Sequence, residues 1–226
     1  MKPNAWSHSA LASFQQCPRQ FSEVKILKHY TEEKNDAARW GDEVHKALEW
    51  RIGSGVPLPA NMALYEPYAL QFIERPGRTF AERKYALSKS LAPCDFFAKD
   101  VWCRGIIDVL TLEGNAAHVD DHKTGKNRKK DFQQLVVFAL LTFYHHPEVQ
   151  VVHTAFHWLQ FGFGEDAKDR ETFTRGQVPA LWEMLVPKLQ DYMASFKRGI
   201  FPPKPSGLCR KHCPVTSCEY HGRGGR

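Results

Sequence analysis

The chain has 226 residues, 42% of them hydrophobic and 25% charged, a size and balance that suit one domain with a real core. No apolar run approaches the roughly 20 residues needed to span a bilayer, and the start, MKPNAWSHSALASF, lacks the charged-then-apolar pattern of a signal peptide; the expectation is a cytoplasmic protein with no membrane partner. A net charge of +6 with a pI near 9.0 suits a polyanion such as nucleic acid, although charge alone selects no partner.

Ser7 to Gln16 reads as a short helix capped by Ser7 or Ser9, with Leu11 and Phe14 inward and Pro18 bounding it. Asp36 to Ile52 reads as a second helix, because Trp40, Val44, Leu48 and Ile52 recur every four residues. Met62 to Ile73 is a third helix, ended by Arg75-Pro-Gly-Arg78. The period then shortens to that of strands over Thr79 to Ser90, Val101 to Leu112 and Ala116 to Lys123, with Gly114-Asn115 as a tight turn between the last two. Lys129 to Tyr144 is a helix, Val149 to Phe161 a strand and Gln177 to Lys197 a long helix. A proline-rich connector, Phe201 to Gly207, leads into a cysteine-containing tail. This order predicts an α/β protein with a mixed central sheet flanked by helices. It divides into a helical part (1–76), a core (77–198) and a tail (199–226) that packs on the first helix, all in one domain.

The Gly114-Asn115 turn fixes a register. Glu113 opposes Ala116, and counting outward sets Asp108 opposite Asp121, on one face with Lys123. Two carboxylates with Cβ atoms about 5 Å apart repel by roughly 3 kcal/mol at an effective dielectric of 20. A proton or a hard divalent cation relieves that repulsion, Mg²⁺ being the usual one. Asp120 and His122 point to the other face, and a slip of one residue would exchange the two sets. Taken as composition alone, the same residues also suit a solvated, charged hairpin.

The segments GIIDVL (Gly105 to Leu110) and DHKTGK (Asp121 to Lys126) resemble two motifs of the RecB-like branch of the PD-(D/E)xK nucleases. Four further segments agree in order: SALASFQQCPRQF (Ser9 to Phe21), WGDEVHKALE (Trp40 to Glu49, with Gly41 and His45), FAERKYAL (Phe80 to Leu87, with Glu82) and QLVVF (Gln134 to Phe138). Phe138 stands where that branch usually has Tyr, so a hydroxyl contact is missing. The resemblance implies a restriction-endonuclease-like core and a Mg²⁺- or Mn²⁺-dependent deoxyribonuclease. In that reading Asp108, Asp121, His45 and the backbone carbonyl of His122 hold the metal. Lys123 is the catalytic lysine, with Gln134 beside it, and Glu82 is either a further metal ligand or a neighbour of the ligands. The basic run Lys126, Arg128, Lys129 and Lys130 follows at once and offers contacts to a phosphate backbone, or else is a solvated turn.

Cys209, Cys213 and Cys218 stand close enough to hold one metal centre. His221 or His212 would complete a local Cys₃His zinc site. The resemblance instead implies a [4Fe-4S] cluster that Cys17 shares with the trio, although the spacing here, three then four intervening residues, differs from the usual two then five. Such clusters belong to nucleases of CRISPR adaptation and of bacterial helicase–nuclease complexes. No nucleotide-binding Gly-x-x-x-x-Gly-Lys-Ser/Thr stretch occurs, so any unwinding falls to a helicase or recombination partner. Cys94 and Cys103 read as ordinary buried residues. The expected activity is exonucleolytic cleavage of DNA in a bacterial or phage-infected cell. The alternative is a non-catalytic nucleic-acid-binding module with a structural zinc or iron–sulfur site.

Overall fold

The tight turn forms where the sequence places it. Gly114 adopts φ +58°, a conformation that costs glycine little, and Glu113 pairs with Ala116. The computed structural model describes residues 5–128 and 132–223. In chain order the elements are α1 (His8–Gln16), α2 (Pro18–Phe21) running into a π-helical turn, α3 (Asp36–Ser54), α4 (Glu66–Ile73), β1 (Arg78–Ser88), β2 (Pro93–Cys94), β3 (Val101–Glu113), β4 (Ala116–Lys123), α5 (Gln133–His145), β5 (Val151–Trp158), β6 (Lys168–Thr174) and α6 (Val178–Arg198). They gather into two compact units. One spans Lys34–Leu181; the other combines the described residues of Met1–Glu33 and Trp182–Arg226. No helix among the described residues is long and apolar enough to cross a membrane.

The larger unit is a six-stranded mixed sheet in the order β2-β1-β3-β4-β5-β6. β1, β3 and β4 form an antiparallel meander, β4 and β5 run parallel with α5 as the crossover, and β6 returns antiparallel. α5 is apolar nearly all round: Leu135, Val136, Val137, Phe138, Ala139, Leu140, Leu141 and Phe143 are all buried, as a helix enclosed on every side must be. Elsewhere Val44 and Leu48 of α3 and Tyr68 and Phe72 of α4 pack with Val109 of β3, each fully buried. Each such side chain contributes about 1.5–3 kcal/mol relative to an exposed one. Asn35 caps α3 by accepting from Ala38 N, and Gly55 ends it at φ +72°.

The smaller unit has an aromatic core. Phe14 and Phe21 meet Tyr192 edge-on or tilted at 5.2 and 5.6 Å between centroids, and Phe21 meets Phe196 at 6.2 Å. The chain after α6 returns to the first helices. Arg19 N donates to Pro202 O, and Lys204 Nζ donates to Gln15 O at 2.8 Å.

Several boundaries differ from the sequence reading. The third helix begins as a 3₁₀ turn over Ala60–Tyr65, because Pro67 suits only the first turn of the α-helix that follows. α5 starts at Gln133, and the expected start at Lys129 lies outside the described residues. β5 stops at Trp158, where Leu159–Phe161 turns as 3₁₀. β6 has no counterpart in the sequence reading. Cys103 is buried as expected, but Cys94 is only half-buried, on the two-residue edge strand β2.

Candidate active site

The β3–β4 ladder ends at Val109–Asp120 while β3 continues along β1 and β4 along β5. The next step of that register sets Asp108 against Asp121, at the fork where the two strands part. On the other side, Ala81 pairs with Val109 and Arg83 with Ile107, so Glu82 stands opposite Asp108. Three carboxylates therefore lie in a row across β1, β3 and β4. Glu82 has φ +49°, an uncommon conformation for a residue with a side chain, of the kind that clusters at functional sites.

α3 brings the fourth group. Gly41 sits so close to the segment after β4 that a Cβ there would lie 2.7 Å from Thr124 Oγ1. Glycine allows this approach without displacing the Thr124 hydroxyl, and it carries His45, one turn further on, over the fork. His45 Nδ1 lies 3.4 Å from Asp108 Oδ2. One ligand atom each from His45, Glu82 and Asp108 fall within 4.8 Å of one another. Nitrogen and oxygen donors at this spacing fit a hard or borderline divalent cation.

Asp121 stands across the fork from Asp108, whose charge it feels. It pairs with Lys123 Nζ at 2.6 Å and accepts from Gln134 Nε2 at 2.6 Å, while Lys123 donates to Gln134 Oε1 at 2.8 Å. Lys123 also lies 4.7 Å from the centre of the Phe156 ring, a favourable cation–π position. The His122 amide donates to Asp108 Oδ2 at 2.8 Å.

The titration of these groups follows from crowding. Burial and the Asp108 charge raise Asp121 well above the ordinary carboxylate range, against the pull of Lys123. Burial, Asp108 and Glu49 raise Glu82. Burial opposes charge on Asp108 too, but the His45 hydrogen bond and charge, with the hydrogen bond from the His122 amide, outweigh it and keep Asp108 low. Burial likewise opposes charge on His45, but Asp108, Asp121 and Glu82 raise it overall. Without a cation, this set therefore holds protons that a cation would displace.

Behind the fork, residues that the sequence reading does not single out hold β4 in place. Tyr68 OH and His122 Nδ1 share a buried hydrogen bond of 2.6 Å. Asp120 pairs with Arg75 Nη1 and with His157 Nε2, both at 2.6 Å. Burial would raise Asp120, but His157 and Arg75 outweigh it and bring it down to about 2. Burial brings His122 down to about 4, so the ring is neutral. Asp120 and His122 thus face away from Asp121, as the hairpin register requires.

Of the basic run, Lys126 is exposed, while Lys129 and Lys130 lie outside the described residues. Arg128 is engaged within the protein. It forks onto Asp169 at 2.9 and 2.8 Å and donates to Asp166 O and Lys168 O, so its guanidinium ties this loop to β6.

In the smaller unit Cys17, Cys209, Cys213 and Cys218 line one cavity, with His221 on the same wall. Lys204 N donates to Cys17 Sγ and Ser206 N to Cys209 Sγ, both at 3.4 Å. His212 does not line it.

A sequence profile of the PD-(D/E)XK nuclease superfamily matches residues 5–219, and the chain belongs to that superfamily. No curated protein matches it. Among solved structures it is similar to SSO0001, with 12% identity over 98% of this chain and 89% of that one and a TM-score of 0.46. It is also similar to a candidate exonuclease from Eubacterium rectale, with 13% identity, the same coverages and a TM-score of 0.48.

Proposed function

We propose that the chain is a Mg²⁺- or Mn²⁺-dependent deoxyribonuclease of the RecB-like branch, hydrolysing DNA from its ends. The observation that carries this is the convergence of His45, Glu82 and Asp108 within 4.8 Å, with Asp121 and Lys123 at the same fork. His45, Glu82, Asp108 and Asp121 would hold the metal, with the His122 carbonyl as a further ligand. Of the two roles open to Glu82, its position within 4.8 Å of His45 and Asp108 favours that of a direct ligand. The bound metal would neutralise charge on the phosphate and lower the pKa of a water at neutral pH. Lys123, held by Gln134, orients that water or a phosphate oxygen. Gln134 fixes Asp121 and Lys123 together, and the His122 amide keeps Asp108 turned to the fork. The test is digestion of end-labelled linear, circular and single-stranded DNA with Mn²⁺ and with EDTA. Loss of linear DNA with circular DNA intact supports end-directed cleavage; cutting of circles would replace it with an endonuclease.

We also propose that Cys17, Cys209, Cys213 and Cys218 hold a [4Fe-4S] cluster. Tetrahedral zinc with bonds of about 2.3 Å needs sulfurs about 3.8 Å apart. The four cysteines line one cavity of the smaller unit. A four-iron cluster spreads its thiolates more widely, and the amides directed at Cys17 and Cys209 suit thiolate charge. The chain would work beside a helicase or recombination partner that supplies unwinding.

A further inference from the structure

A cavity of about 610 Å³ runs between α3 and β1 and reaches the metal group at Glu82, which forms part of its wall. The other walls that matter are Lys46, Glu49 and Trp50 of α3 and Phe80, Arg83 and Lys84 of β1. β2 pairs with β1 only at Ala86 and Leu87, so among the described residues β1 has no outer strand from Arg78 to Tyr85.

Aromatic faces alternate with cations along this wall. Trp50 is 50% exposed, and Lys46 Nζ sits 5.0 Å from its ring centre. Phe80 lies between Arg78 at 4.7 Å and Arg83 at 5.0 Å. The one acid of the wall besides Glu82 is Glu49, which Lys46 neutralises at 2.7 Å. A lone exposed tryptophan means little. A row of rings and cations ending at a phosphodiester-cutting centre is the chemistry that holds an unpaired strand: bases stack on rings and phosphates meet cations. A duplex keeps its base faces stacked on one another and has none to offer Trp50.

We propose that this groove carries a single strand of nucleic acid to the active site, one base stacked on Trp50 and phosphates against Arg83 and Lys84. The proposal rests on the nuclease reading, because it takes Glu82 as the end of the path. It adds that the substrate strand is unpaired where it enters.

The test is fluorescence anisotropy of labelled oligo-dT, oligo-U and a duplex of equal length, in EDTA so that binding is read without cleavage. Trp50→Ala should weaken binding of oligo-dT, oligo-U or both about tenfold, as expected for one stacked base, and leave the duplex unchanged. Trp50→Phe should retain most of the affinity. Arg83→Ala with Lys84→Ala should flatten the salt dependence, by about 0.7 in slope for each phosphate no longer neutralised. Unchanged single-strand binding by Trp50→Ala, or an equal loss on the duplex, overturns the groove. If Trp50 matters for binding but the wild type cuts nothing with Mn²⁺, the nuclease reading fails and the groove stands. If Mn²⁺-dependent cutting is normal and Trp50 is irrelevant, only the groove fails.

Discussion

Gln134 Nε2 donates to Asp121 Oδ1 at 2.6 Å while the same amide's oxygen accepts from Lys123. A residue on the first turn of α5 thus orients a carboxylate and an ammonium on β4 together. Removing such a supporting bond beside a metal site typically lowers activity 10–100-fold. Gln134→Ala should therefore lower kcat by about that factor, with the unfolding midpoint little changed. A kcat within twofold of wild type would leave Gln134 as packing only.

His45 sits among three carboxylates that raise its pKa above 6.5. A metal needs the neutral ring, so binding must release the proton. Mn²⁺ affinity measured by calorimetry should therefore fall as pH drops through the raised His45 value and recover above it. His45→Ala should weaken Mn²⁺ binding by about tenfold or more and flatten that pH dependence. An imidazole ligand also favours Mn²⁺ over Mg²⁺. An unaltered isotherm in His45→Ala would confine the residue to a structural role.

Arg75 is one of two partners of the buried carboxylate Asp120. Removing one side of a buried pair strands the other charge and typically costs about 3 kcal/mol. Arg75→Met should lower the Tm by roughly 10 °C, at 2–4 °C per kcal/mol for a unit of this size. Adding Asp120→Asn should restore part of the loss, since the stranded charge is gone. A double variant no more stable than Arg75→Met would show that the cost lies elsewhere.

The fork is readable in the sequence because a two-residue turn fixes every pair behind it: once Gly114-Asn115 is placed, the register runs to Val109–Asp120 and its next step sets Asp108 against Asp121. The α3 stripe is readable from its spacing for the same local reason. β6 is hidden because one of its two buried positions, Asp169, is a carboxylate, which leaves Phe173 as its lone buried apolar residue. Asp169 is tolerated there only because Arg128 and Trp158 Nε1, both distant in sequence, bond to it. The network behind the fork is hidden likewise: Tyr68 reads as one more apolar residue of its helix, and Arg75 as part of a helix stop. The cation–aromatic wall of the α3–β1 groove joins residues about 30 apart, which no local pattern records.

The cysteine reading separates by colour. Protein purified without oxygen should absorb broadly near roughly 400 nm and carry about four irons per chain. Cys17→Ala should bleach it and destabilise the fold, because Cys17 and Cys209 would close a loop across most of the chain; by analogy with a disulfide this is on the order of 5 kcal/mol. Colourless protein with one zinc, indifferent to Cys17→Ala and stripped by His221→Ala, would decide for the local zinc site.

Whether the fork of β3 and β4 is a metal-dependent phosphodiesterase centre is decided by the rate of release from end-labelled single-stranded DNA with Mn²⁺, for the wild type, Asp121→Ala and Lys123→Ala. The wild type should cut, EDTA should abolish cutting, and both variants should lose at least about a hundredfold while keeping the wild-type unfolding midpoint within a few degrees. Cutting by Asp121→Ala at the wild-type rate, or undiminished cutting by metal-free protein, would contradict it.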